Sequence, residues 1–128
     1  MNIAILNTPV YDYLTASLIE GLNELGHDVR TSEKSNYGNY LCKNEFIKFA
    51  NNADIFIIGS NNYIKYEYLK DIKNHKTIFI DGSDSSFLEI YVKYPINLIF
   101  KREFLKNCFN KEDLIFPSNF ISSGYRIN

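Results

Sequence analysis

Two aspartates three residues apart follow one apolar segment, a spacing at which their carboxylates could bind Mg²⁺ together with water. Asp81 comes directly after residues 77–80, and Asp84 stands three residues later. A charge at the end of a buried strand is unfavourable unless it is paired, accepts hydrogen bonds from backbone amides or faces a ligand cleft. Asp81 and Asp84 are therefore the candidate catalytic residues. A loop that caps the next helix is the structural alternative. Two carboxylates alone specify a hard cation weakly, so no metal site is predicted.

Two adjacent cations, Lys101 and Arg102, stand where a short helix is predicted to begin. The helix dipole disfavours cations at that end, so a pair of them there indicates an anion such as a phosphate or a carboxylate. An ion pair with Asp81, Asp84 or Glu103 is the structural alternative. The pattern leaves both explanations open.

Amides, hydroxyls and a glycine follow other predicted strands. A glycine after a buried strand lets a ligand approach the backbone closely, although the same residue types also form ordinary turns. The candidate ligand-binding residues, which all follow or end predicted strands, are Asn7, Thr8, Gly59, Ser60, Asn61, Asp81, Ser83, Asp84, Lys101 and Arg102. Neither GxGxxG nor GxxxxGK[ST] occurs in the sequence, so no cofactor is predicted.

The elements that must position these residues are short apolar runs alternating with segments of helical period. The runs predict strands over residues 3–6, 27–31, 54–59, 77–81, 96–100 and 114–116, with a loop over 32–40. The intervening segments predict a helix after Asp12, a second helix with its apolar face over 46–50, a third marked by apolar residues from 66 to 72 and ending near 74, and short helices beginning at 86 and 102. The first helix has apolar positions at Leu14, Leu18, Leu22 and Leu25, between an N-cap at Asp12 and a terminal glycine at Gly26.

Continuous apolar strands separated by helices are typical of a parallel sheet covered on both faces. The predicted fold is a doubly wound α/β domain with a mostly parallel sheet of five to six strands, in a Rossmann-like or flavodoxin-like order. In such sheets ligands bind outside the carboxyl ends of the strands. The candidate residues should therefore share one edge of the sheet.

Length and composition limit the functional classes. The 128 residues suit one domain, 1–128, and the net charge of −1 gives no drive toward nucleic acid or an anionic membrane. No apolar run approaches the roughly 20 residues that span a bilayer. Residues 1–6 lack a basic segment and are typical of a strand, so no secretion signal is predicted. Cys42 and Cys108 form no metal-binding pattern, which predicts free thiols in a reducing cytoplasm.

Several segments resemble one family of glycosyltransferases. Residues 3–8 with Gly26-His27-Asp28-Val29 are similar to the first β-α-β unit of a GT-B glycosyltransferase. Four further segments follow the order found in the N-terminal domain of CgeB-like, spore-maturation-type glycosyltransferases. They are residues 53–59, then Phe79-Ile80-Asp81-Gly82-Ser83-Asp84, then Phe100-Lys101-Arg102-Glu103, and Pro117 after the next strand. The resemblance covers most of the chain as short pieces.

This resemblance implies the N-terminal, acceptor-side half of a two-domain enzyme. Its partner would be a sugar or glycan acceptor, and the nucleotide sugar would be held mainly by a second, C-terminal Rossmann-like domain. The sequence ends at Asn128 without such a domain, so the chain is expected to be inactive alone. The resemblance carries over Asp81, Asp84, Lys101 and Arg102 only as residues lining the cleft.

Three other functions are compatible with the same fold class. Asp81-Gly82, Asp84-Ser85 and Glu89 resemble the acidic pattern of nucleoside deoxyribosyltransferases, with Glu89 as the candidate nucleophile. A receiver-like signalling module is disfavoured, because it needs acidic residues where Asn7-Thr8 and Gly59-Ser60 stand. A non-catalytic binding or oligomerisation domain is the third possibility, since a fold does not determine a function.

Overall fold

The computed structural model describes residues 1–9, 13–60, 65–82, 94–101 and 115–117. The strands and helices within these ranges alternate along the chain. In order they are β1 (Asn2–Leu6), α1 (Tyr13–Glu24), β2 (Asp28–Thr31), β3 (Asn39–Tyr40), α2 (Lys43–Asn52), β4 (Ile55–Ser60), α3 (Tyr66–Leu69), β5 (Thr77–Asp81), β6 (Leu98–Lys101) and β7 (Ile115–Pro117). The helices predicted from residues 86 and 102 lie outside the described residues, as does Asp12.

The strands form one sheet in the order β3-β2-β1-β4-β5-β6-β7, and every pairing is parallel. The predicted α/β fold class is confirmed. The sheet has one more strand than predicted, because the two-residue β3 lies within the segment assigned to a loop. With β3 the order is Rossmann-like, and without it the order is flavodoxin-like. In both descriptions the strand order reverses between β1 and β4.

Two apolar layers cover the sheet, one on each face. Successive side chains of a strand point to opposite faces, so alternate residues of β1 and β4 belong to different layers. The layer beneath α1 contains Ile3, Ile5, Leu14, Ile19, Val29, Ile57 and Ile80. The layer beneath α2 and α3 contains Ala4, Leu6, Phe46, Ala50, Phe56, Ile58, Leu69, Ile72 and Phe79. The continuous apolar runs in the sequence therefore reflect strands buried on both sides.

The end of α1 follows the predicted glycine signal. Gly26 has φ +88°, and its N–H donates to the Asn23 carbonyl at 3.0 Å while the His27 N–H donates to the Leu22 carbonyl at 3.2 Å. These two bonds form a Schellman motif, which requires a left-handed residue. The predicted apolar face was wrong at Leu25, which lies beyond the helix and is 74% exposed.

The third helix is shorter than its apolar spacing predicts. It ends at Leu69, yet Ile72 still packs into the core. The Asn74 side chain holds the following segment, because its Nδ2 donates to the Ala50 and Ala53 carbonyls at 2.9 Å each. None of the helices in the described ranges has the length and apolar character required to cross a lipid bilayer.

Candidate functional site

Neighbouring strands bring several predicted site residues to one edge of the sheet. Ser60 is in register with Asp81, and Asp81 is in register with Lys101, on the adjacent strands β4, β5 and β6. Asp81 is fully buried, at 0% exposure. The carboxyl ends thus collect polar residues as the sequence indicates, and the Asp81 carboxylate is enclosed by protein.

Gly59 makes a close contact of another kind. A Cβ atom built on it would lie 2.6 Å from Thr15 Oγ1 and 2.9 Å from Thr15 Cγ2. The glycine therefore lets α1 pack directly against β4. The space beside its Cα is filled by a helix side chain, and its predicted part in ligand binding stays a prediction.

Asn7 joins the end of β1 to the end of β2. Its Oδ1 accepts hydrogen bonds from the N–H groups of Ser32 at 3.1 Å and Glu33 at 2.8 Å, and from Ser32 Oγ at 3.0 Å. Its Nδ2 donates to the Glu33 carbonyl at 3.3 Å, and its own N–H donates to Ser32 Oγ at 3.0 Å. The side chain of Asn7 therefore satisfies backbone groups where β2 ends.

Lys65, the residue immediately before α3, adds a cation to this network. It is only 5% exposed, and its Nζ forms an ion pair with Glu33 Oε2 and lies 3.4 Å from Ser32 Oγ. The Nζ atom also lies 4.9 Å from the centre of the Tyr68 ring. Burial, and then the charge of Glu33, raise the pKa of Tyr68. The ammonium group thus has a carboxylate, a hydroxyl and an aromatic face as partners.

A cavity of about 290 Å³ opens at the same edge, between the β1–α1 segment, the first half of α1 and the β2–β3 segment. Among the described residues, half of the lining side chains carry hydroxyls or amides, and the others are three apolar side chains, one carboxylate, one ammonium group and one phenol ring. The lining residues are Asn7, Thr8, Pro9, Thr15, Ala16, Ser17, Ile19, Glu20, Lys34, Ser35, Asn36 and Tyr37.

The cavity and the sequence-predicted set overlap at Asn7 and Thr8. Gly59 and Asp81 lie at the same edge of the sheet but do not line this cavity, and Ser60 and Lys101 end β4 and β6 at that edge. The remaining predicted residues, and the alternative nucleophile, lie outside the described part of the chain: Asn61, Ser83, Asp84, Arg102 and Glu89. Among the described residues, no group of three His, Cys, Asp or Glu side chains is placed to hold a metal ion.

Sequence reasoning missed the residues that follow the second strand. Ser32, Glu33 and residues 34–37 stand at the carboxyl end of β2, and the rule that selected the other candidates applies equally to them. Their Ser- and Asn-rich composition indicated only a loop. Lys65 carries no comparable signal, because lysine is rarely buried and nothing in its neighbours marks it.

Comparison with protein-family models, with curated proteins and with solved structures found no significant match to this chain. The geometry of the sheet edge and the sequence resemblance are therefore the two indications of function for this chain.

Proposed function

We propose that this domain binds the sugar acceptor of a glycosyltransferase-like protein, in the cavity beside β1, α1 and β2. The composition of the cavity lining is the observation that carries the proposal. A sugar presents many hydroxyls that both donate and accept hydrogen bonds, and serine, threonine and asparagine side chains offer both functions. Tyr37 adds an aromatic face against which the C–H groups of a sugar ring can pack.

The size and charge of the cavity favour an acceptor over a nucleotide sugar. Its volume of about 290 Å³ is at the lower end for small-molecule pockets, which suits one small ligand. Glu20 and Lys34 give the lining one charge of each sign. A diphosphate is normally bound by several cations or by a cradle of backbone amides, and Lys34 is the sole cation among the lining residues that the structure describes.

The test is a titration of the protein with a panel of methyl glycosides, followed by ¹H–¹⁵N NMR. We expect at least one glycoside to bind with a Kd of about 1 mM, with shifts concentrated in residues 7–9 and 34–37. Tyr37→Ala should weaken binding about tenfold, because the aromatic contact is lost. The matched control is Tyr66→Ala, since Tyr66 is 54% exposed and lies outside the cavity lining.

We further propose that the domain has no transferase activity alone, because the resemblance assigns the nucleotide sugar to a second domain.

Two outcomes would contradict the proposal that the cavity binds the acceptor of a glycosyltransferase-like protein. One is the absence of glycoside-induced shifts across the panel. The other is base exchange when the protein is incubated with a deoxynucleoside and a free base, which would favour the deoxyribosyltransferase alternative.

A further inference from the structure

The wall of the cavity formed by residues 34–37 is fixed at both of its ends. At one end, the Leu41 N–H donates to the Thr31 carbonyl at 3.0 Å, and a Cβ atom on Gly38 would lie 2.5 Å from Thr31 Cγ2. At the other end, Glu33 holds the chain through its backbone, which is bonded to Asn7. The position of the wall therefore depends on Glu33 as well as on the pairing of β2 with β3.

The Glu33 side chain has its ion-pair partner outside this wall. Lys65 directly precedes α3, in the connection that follows β4, and it does not line the cavity. Its ammonium group reaches both Glu33 Oε2 and Ser32 Oγ. These two residues are the same two that Asn7 binds through its side-chain amide.

We propose that Lys65 is a positioning residue for the ligand cavity, which holds Glu33 and Ser32 and thereby fixes the adjoining wall of residues 34–37. The inference rests on the proposed function only for the identity of the ligand. A buried ammonium group needs compensating partners, and Lys65 has three of them. Because the flexible lysine chain is almost fully enclosed, its Nζ is a fixed point to which Glu33 can be attached.

The experiment removes the charge while keeping the chain length, in Lys65→Met. The Glu33 side chain is partly exposed, so it can turn toward water once its partner is lost. We expect the Glu33 amide, which donates to Asn7 Oδ1, to exchange with solvent about tenfold faster. The Asp54 amide, which donates to the Asn2 carbonyl at the opposite edge, should keep its rate. Affinity for the tightest methyl glycoside should fall about fivefold.

Two further variants separate positioning from general stabilisation. Lys70→Met removes an exposed lysine from the end of the same helix and should leave both amides and the glycoside affinity unchanged. Lys65→Arg retains the charge and should restore much of the Glu33 protection. A merely structural role predicts faster exchange at Asp54 as well as Glu33, and no rescue by arginine.

The outcomes for Lys65 and for the proposed function are separable. If the wild-type protein binds no methyl glycoside, the proposed function fails, and the exchange rates still decide the role of Lys65. If the wild-type protein binds a glycoside and Lys65→Met keeps both the affinity and the slow Glu33 exchange, the positioning role is overturned.

Discussion

At the scale of single residues, Asn7 joins the ends of β1 and β2 through hydrogen bonds to Ser32 and Glu33. One oxygen atom accepts from two backbone N–H groups, those of Ser32 and Glu33, and Asn7 and Ser32 are both buried. If the acceptor of a buried N–H group is removed, the folded state is destabilised by the full desolvation penalty of that group, which is about 1–3 kcal/mol. The network therefore makes Asn7 a structural requirement for the site as well as a lining residue.

Asn7→Ala should lower the free energy of unfolding by about 2–3 kcal/mol, as measured by urea denaturation. The control is Asn52→Ala, because the Asn52 amide donates to the Lys48 carbonyl at an exposed position and should contribute less than about 0.5 kcal/mol. Equal losses in the two variants would show that the Asn7 network adds nothing beyond an ordinary surface hydrogen bond.

Residue types alone indicate part of this site. Asn7 and Thr8 were predicted because polar residues after the first strand must reach the carboxyl edge. The partners of Asn7 were not predicted, because hydrogen bonds between Asn7 and Ser32 depend on β1 and β2 being neighbours. The burial of Lys65 likewise depends on Glu33, which is 32 residues away in the sequence. Such long-range contacts leave no local pattern.

At the scale of elements, the packing of α1 on β4 depends on the absence of a side chain at Gly59. The nearest atoms to a Cβ placed at this position all belong to Thr15, a β-branched residue with restricted χ1 rotation. Thr15 is itself buried against the sheet. A rotation of the Thr15 side chain therefore cannot make room for a Cβ atom at Gly59, and α1 itself would have to move away from β4.

Gly59→Ala should destabilise the protein by about 1–3 kcal/mol, the usual range for overpacking a core. Adding Thr15→Ala should recover part of that loss, because it removes the clashing atoms. The control has the opposite sign: nothing lies within 4 Å of a Cβ at Gly21 in α1, so Gly21→Ala should stabilise by about 0.5–1 kcal/mol. A neutral Gly59→Ala, measured by thermal unfolding, would contradict the proposed packing.

Elements differ in how far sequence defines them. β5 has the predicted bounds, Thr77–Asp81, because four apolar or β-branched residues run continuously between polar segments. The two-residue β3 exists through its pairing with β2 and has exposed side chains, so hydrophobic patterning could not reveal it. α3 ends before its apolar spacing predicts, and the segment after it is held by Asn74, whose amide donates to the Ala50 and Ala53 carbonyls at the end of α2.

At the scale of the whole molecule, strand order and the cavity are collective properties. The parallel sheet follows from alternating apolar runs, but the same alternation fits several strand orders. The cavity collects residues from 7–9, 15–20 and 34–37, which meet because β1 lies beside β2. The sequence therefore predicts the edge of the sheet that collects polar residues, and the strand order determines where along that edge the cavity forms.

The stability of the whole molecule should depend on alkaline pH through Tyr94. Its ring packs edge-on against Phe56 with centroids 6.3 Å apart, and its hydroxyl donates to the Ile72 carbonyl at 2.7 Å. Burial raises the pKa of Tyr94 to about 12, against a smaller opposing effect of Thr77. An unfolded tyrosine has a pKa of about 10, so above that pH the unfolded state binds fewer protons than the folded state. The contribution of Tyr94 is thus complete below about pH 10 and is lost as the pH rises toward 12.

Urea unfolding of the wild type and Tyr94→Phe between pH 9 and about pH 11.5 tests this linkage. The wild type should lose stability more steeply than Tyr94→Phe, so the difference between them should narrow as the pH rises. Tyr66→Phe, at an exposed tyrosine, is the control for the loss of a tyrosine hydroxyl outside this core. Parallel curves for the wild type and Tyr94→Phe would contradict a raised pKa for Tyr94. A steeper loss in the wild type than in Tyr94→Phe would instead show that the core beneath α2 and α3 keeps the Tyr94 hydroxyl neutral.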